Sequence, residues 1–247
     1  MLDLHCHILP GVDDGAADLD AAVAMARCLS AAGYDAVAPS PHFGEGPGGD
    51  VSREQAAAGR VQLAERLAAE GIELQLLPNA EHHVTMELLA RIDRGEVQPI
   101  GGDGKWLLVE LPWQPLTDPE GVLFRIQSKG YRLLLAHPER YRYLELDVIE
   151  RLVERDVKMQ LEIGSFISLY GKQAHFRALA MTDRGLSHVL ASDMHRPDDA
   201  AAWLSGGLRA VADRYGKRAV QVGAADNPRA LAGGALAADV HPFTEAR

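Results

Sequence analysis

Cysteine is nearly absent from this chain: 247 residues contain only Cys6 and Cys28. Two cysteines cannot build the disulfide framework of a small secreted domain. Neither can they head a thiolate phosphate-binding loop with an arginine six positions later. At that spacing Cys6 meets Val12 and Cys28 meets Tyr34. The phosphate loop GxxxxGK[ST] and the nucleophile elbow GxSxG are missing too, which leaves no candidate for side-chain nucleophilic catalysis. No run of 18 apolar residues exists, so no membrane-spanning helix is expected. The N-terminus lacks a basic region, and Asp3, His5 and His7 interrupt its apolar run, so it does not read as a signal peptide and the expected location is the cytoplasm. Basic residues are also in deficit. With 25 Lys and Arg against 35 Asp and Glu, the net charge is −10, which argues against a general nucleic-acid binder. An anionic substrate would need local cations to draw it in.

What is present is alternation. Strand-like runs at 2–5, 34–40, 72–80, 106–112, 131–138, 157–164 and 188–193 are separated by helical patterns at about 18–32, 53–70, 85–94, 118–129, 145–155, 172–184 and 198–215. Asp118-Pro119 suits a helix start, and Gly33, Gly71, Gly95 and Gly130 suit helix stops. Seven strand–helix units without a linker predict one α/β domain over 1–247 with a parallel sheet, closed as a barrel or open and doubly wound. The barrel is favoured because chemistry-bearing residues collect at the ends of many strands.

The first strand carries LDLHCHILPGVDDGA. His5 and His7, two apart on extended chain, project from one face. Asp13 and Asp14 follow; they read either as turn or cap acids before the helix at 18, or as partners of the histidines. Later runs end in His42 (SPH), Glu81 (PNAE), Glu110 (LLVE), His137 (LLLAH), and Asp193 and His195 (LASDMH). Buried strands rarely finish in such groups without a use for them, because an unpaired polar or charged group is costly to bury. Imidazole with carboxylate suits borderline divalent ions. A multinuclear metal centre explains all these endings at once.

HCHILPGVDDGA, SPH, NAEHH, LVELP, AHPERY, LASDMH and DNPR, in this order from residue 2 to about 230, resemble the bacterial manganese-dependent protein tyrosine phosphatases of the PHP (polymerase and histidinol phosphatase) superfamily, the capsule and exopolysaccharide type. The resemblance implies a distorted TIM-like (βα)7 barrel and three divalent ions, Mn²⁺ or alternatively Fe or Zn. By the family pattern His5, His7, Glu81 and Asp193 hold the first, Asp14, His42 and His195 the second, and Glu81, Glu110 and His137 the third. It further implies hydrolysis of phosphotyrosine by metal-activated water. The implied partner is a phosphotyrosine protein, the tyrosine-rich tail of a polysaccharide-assembly kinase.

Arg140, three residues beyond His137, is the candidate to clamp phosphate oxygens; the competing reading pairs it with Glu139 or another acid. Tyr141 and Arg142 read as loop wall. His82, His83, His175, His188 and His241 are not needed to complete the set. Cys6 lies between two ligand candidates but points to the opposite strand face, as a small core residue. The loop FGEGPGGD after His42 is acidic where relatives often carry basic residues, so Glu45 and Asp50 are expected to disfavour acidic peptides. Alternatives are a small-molecule phosphoesterase such as a histidinol-phosphate phosphatase, and a non-catalytic metal-binding interaction module. An amidohydrolase would want a strand-end lysine, and Lys105 and Lys158 begin strands instead.

Overall fold

The computed structural model describes residues 1–44, 48–198 and 200–245; Glu45, in the acidic loop, lies outside them. Among the described residues nine short strands are all paired in parallel. β1 (Leu2–Asp3), β2 (Ala36–Val37) and β4 (Gln75–Leu76) form one sheet. β3 (His42–Phe43), β5 (Glu81–His83), β6 (Trp106–Glu110), β7 (Arg132–Ala136), β8 (Lys158–Glu162) and β9 (Val189–Ala191) form the other in that order. Helices α1 (Leu19–Ala31), α2 (Arg53–Ala69), α3 (Met86–Arg94), α4 (Pro119–Ser128), α5 (Leu146–Glu154), α6 (Gly171–Asp183) and α7 (Ala200–Tyr215) fall within a residue or two of the expected positions. The short α8 (Lys217–Gln221) and α9 (Asn227–Ala232) follow. Asp118 caps α4 as expected, accepting from Gly121 N–H, and Ser52 and Gln55 close a capping box on α2.

Two expected strands are cut short, and each is followed by a further strand. The run 34–40 yields only β2, with β3 beyond its end, and the run 72–80 yields only β4, with β5 beyond its end. Pro39, Pro41 and Pro78 occupy the gaps, and proline has no N–H to give to a ladder. Backbone hydrogen bonds still cross the divisions and the ends. Glu81 N–H donates to Pro41 O, Ser40 N–H to Cys6 O, Asp193 N–H to His5 O, and His7 N–H to Met194 O.

Alternation along the strands separates two apolar clusters. Trp106, Leu108, Leu134, Ala136 and Val189 pack on one face with Leu2, Leu4, Ala36 and Ala38, closed below by Leu231 and Val240. Leu107, Val109, Leu133, Leu135, Met159 and Leu161 face the helices in a larger cluster. The first face carries the site. Two steps on from Leu108 lies Glu110, and two steps on from Ala191 lies Asp193.

Candidate metal centre

All nine residues singled out as ligands converge at the C-terminal ends of the strands. Donor atoms of His7, Asp14, His42 and His195 lie within 4.8 Å of one another; so do those of His5, His137 and Asp193, of His5, His7 and Glu81, and of His42, Glu81 and Glu110. Glu81 is the hub. Its Oε1 is 3.3 Å from His5 Nε2 and 3.2 Å from His137 Nε2, and its Oε2 is 3.4 Å from His7 Nε2 and 3.2 Å from His42 Nδ1. The register pairs His42 with Glu81 across β3 and β5, which makes them neighbours on one face. Burial runs from Glu81, sealed at 1% exposure, out to Asp14 at 51%.

Local backbone explains how these side chains are aimed. His137 follows Ala136 and by strand alternation would point at the helices. Its backbone instead enters the left-handed region at φ 37° and swings the ring into the site. Asp193 also sits at φ 50°. Such conformations are strained for residues with a Cβ and persist where surrounding structure enforces them. In the turn after His7, a Cβ on Gly15 would overlap His7 O and Cβ. Only glycine lets Asp13 and Asp14 fold back over the imidazole.

A second set of side chains holds the first. His7 Nδ1–H donates to Asp13 (2.9 Å), which also accepts from Gly15 N–H. His5 Nδ1–H donates to Gln160 Oε1 (2.8 Å). His83 Nδ1–H donates to Glu110 Oε2 (3.1 Å). Asp13 is therefore an orienting acid, which resolves its two sequence readings. Gln160 and Glu162 escaped the sequence reading. Strand parity offered a signal for both, since they stand on the same face of β8, but no motif marked them.

Is the donor set suited to cations? With their Nδ1 atoms engaged as donors, His5 and His7 in the neutral form would present Nε2 lone pairs to each other at 3.2 Å. The carboxylate oxygen Asp193 Oδ1 lies 3.1 Å and 3.5 Å from those same two atoms. Acceptors facing acceptors repel unless a positive charge lies among them. Burial alone would depress the affinity of His5 and His7 for protons. The carboxylates outweigh it, Glu81 and Asp193 at His5, and Asp13 with Asp193 and Glu81 at His7, and hold both well above the ordinary histidine range. The field that draws a proton there also draws a divalent ion, and five imidazoles with four carboxylates are chemically fit to ligate it.

Arg140 stands at the edge of this set. Its Nη1 donates to Glu162 (2.7 Å) and Asp193 (3.0 Å), not to Glu139. Glu139 turns away, accepting from Glu162 N–H and Ser165 Oγ–H. The guanidinium is sandwiched between Trp113 (4.8 Å) and Tyr170 (4.5 Å). Among the described residues no hydrogen bond engages Nη2 or Nε, so that edge of the fork is available to an anion. Asp50 does not face the site as a bare charge: it is paired with Arg91 and accepts from Gly44 N–H. His82 is bonded between Leu108 O and Gln98 N–H, and Cys6 is sealed against Met194, so both stay outside the chemistry.

A parallel α/β fold with a buried multi-histidine, multi-carboxylate centre and an adjacent arginine defines a metal-dependent class of protein. More narrowly, residues 1–232 match the family model for capsular polysaccharide synthesis, CpsB/CapC, and the chain belongs to that family. It is 33% identical over 201 residues to the tyrosine-protein phosphatase YwqE of Bacillus subtilis, covering 79% of this chain and 77% of that one. It is 25% identical to the tyrosine-protein phosphatase CpsB of Streptococcus pneumoniae, covering 94% and 98%. A solved structure described with YwqE and CpsB as "unique metal-dependent tyrosine phosphatases" superposes with a TM-score of 0.86 at 28% identity, over 96% of each chain.

Proposed function

We propose that this chain is a metal-dependent protein-tyrosine phosphatase. The observation that carries the proposal is the convergence of nine imidazole and carboxylate donors beside a half-free guanidinium. The similarity to named tyrosine phosphatases supports the substrate class. Within this reading His5, His7, Asp14, His42, Glu81, Glu110, His137, Asp193 and His195 would hold three divalent ions, Mn²⁺ before Fe or Zn. Bound ions supply Lewis acidity, an activated water and neutralisation of the charge on the phosphoryl oxygens. The protein's own contribution is positional. Asp13 and Gln160 fix the tautomer and tilt of His7 and His5. Trp113 and Tyr170 hold the Arg140 plane while Glu162 and Asp193 fix its Nη1, leaving Nε and Nη2 to bind a transferring phosphoryl group. Tyrosinate, with a conjugate acid near pKa ~10, leaves with less help from a proton donor than an alkoxide requires.

The reading extends to architecture and setting. Residues 1–247 form one PHP-type unit, and the two sheets are arcs of one distorted (βα)7 barrel. The hydrogen bonds from Asp193 to His5, from His7 to Met194 and from Glu81 to Pro41 support that joining. The substrate is a phosphotyrosine protein, the tyrosine-rich tail of a polysaccharide-assembly kinase, met in the cytoplasm. No helix among the described residues is long and apolar enough to cross a membrane. The test compares kcat/KM for a phosphotyrosine peptide and for histidinol phosphate at equal Mn²⁺. Faster cleavage of the phosphotyrosine peptide is expected; a preference for histidinol phosphate would replace the proposed activity.

A further inference from the structure

The chamber that holds the donors is small, ≈220 Å³, and Trp113 and Arg140 form part of its wall. The same two side chains also line a larger groove of ≈560 Å³, which continues past Tyr143, Tyr170 and Arg142. Anything anchored among the donors and attached to a longer chain therefore has a lined exit on this side. Trp113 is 42% exposed, and its ring stacks on His137 and Arg140, so it links the donors to the groove wall.

The two arginines of the groove differ. Arg140 is committed to Glu162, Asp193 and its aromatic sandwich. Arg142 is exposed, and among the described residues it has no carboxylate within ion-pair distance. In a chain of net charge −10, Arg142 is an exposed cation without an ion-pair partner on a groove whose one carboxylate among the described residues, Glu139, is buried and bonded to Glu162 N–H and Ser165. Flat aromatic wall suits peptide backbone and side-chain stems, and the guanidinium suits a carboxylate.

We infer that this groove binds the polypeptide on one side of the phosphotyrosine and that Arg142 selects an acidic residue there. The inference rests on the phosphatase reading and adds a specificity-determining residue to it. It also reverses the expectation drawn from the acidic loop after His42. Of that loop's two acids, Asp50 is already paired with Arg91, which removes part of the expected repulsion, and Arg142 supplies the attraction on the groove side.

The experiment uses the metal-loaded protein and phosphotyrosine peptides with alanine flanks, in which a single Glu or Lys is walked through the flanking positions. Wild type should favour Glu over alanine at a position on one side by about two- to fivefold in kcat/KM, the range of an exposed ion pair, and disfavour Lys there. Arg142→Glu should invert the Glu-to-Lys ratio at that position and nowhere else. Gln173→Glu, which adds a negative charge on the same groove, should lower the ratio without inverting it. Affinities of the non-hydrolysable phosphonate peptides should follow the same order, and the preference should shrink as salt rises. A Glu-to-Lys ratio that is unchanged by Arg142→Glu would overturn the groove assignment. Failure to cleave even the all-alanine peptide would instead remove the phosphatase reading beneath it.

Discussion

Arg140 has two jobs, and substitutions can separate them. Its charge offsets Glu162, which is fully buried, and Asp193; its planar fork faces the reaction. Arg140→Ala removes both. Turnover should fall by about 10²–10³, the usual effect of losing one preorganised donor at a site of developing charge. The melting temperature should also fall, because two buried carboxylates lose their partner. Arg140→Lys keeps a charge but not the fork or the stack. It should recover most of the melting temperature and little of the turnover. Normal rates in the alanine variant would confine Arg140 to its ion pairs. Asp13 acts one step further back, through the ring of His7. Asp13→Ala should weaken metal binding by about 10–100-fold although no ligand is removed, as measured by competition with a chelator of known affinity. Unchanged metal affinity would return Asp13 to the role of a simple turn acid.

At the scale of elements, the strand ends carry the chemistry, and one strand start carries a group sensitive to acid. His188, which leads into β9, is buried; its Nδ1 accepts from Met159 N–H, and its own N–H donates to Met159 O. Burial first, and then the charge of Lys158, lower its pKa from 6.5 to about 3. Between those two values the unfolded chain binds a proton that the folded chain refuses. The associated stability is therefore full above pH 6.5 and is lost progressively as pH falls towards about 3. His188→Asn keeps an acceptor but not the titration, so its denaturant midpoint should change less across that interval than wild type's. Parallel curves for the two proteins would assign the acid sensitivity elsewhere. The shortened strands belong to this scale as well. Alternation and composition marked 34–40 and 72–80 as single runs, and the prolines inside them mattered more than their apolar character. The turn of His137 into the left-handed region breaks strand parity, and no local pattern announces that.

At the scale of the molecule, a centre this rich in buried like-charged carboxylates should depend on bound ions for stability as well as for rate. Ions held at 100 times their dissociation constant contribute about 2.7 kcal/mol to folding. Chelation should therefore lower the melting temperature and abolish p-nitrophenyl phosphate hydrolysis, and Mn²⁺ should restore both. Cys6→Ser and Cys28→Ser should keep appreciable turnover, since neither thiol reaches the donor set. Hydrolysis persisting in protein shown by elemental analysis to be metal-free would end the metal-dependent reading.

Periodicity and punctuation in the sequence were sufficient for the seven main helices and the parallel α/β class, because those are local properties of spacing, caps and stops. Eight of the nine candidate ligands were legible for a related reason: each is a polar group on or at the end of an apolar run, and burial makes such groups expensive; Asp14, in the turn after the first run, was set apart from Asp13 only by the family resemblance. Partners reached across the fold were not legible. That Arg140 would bind Glu162 and Asp193 and not its neighbour Glu139, and that Asp13 would steady His7, depends on which strand ends come to lie side by side. Residues 22 and 53 positions apart meet at Arg140. Only the tertiary structure decides such meetings, because pairing energy between side chains acts over a few ångströms of space and is blind to distance along the chain.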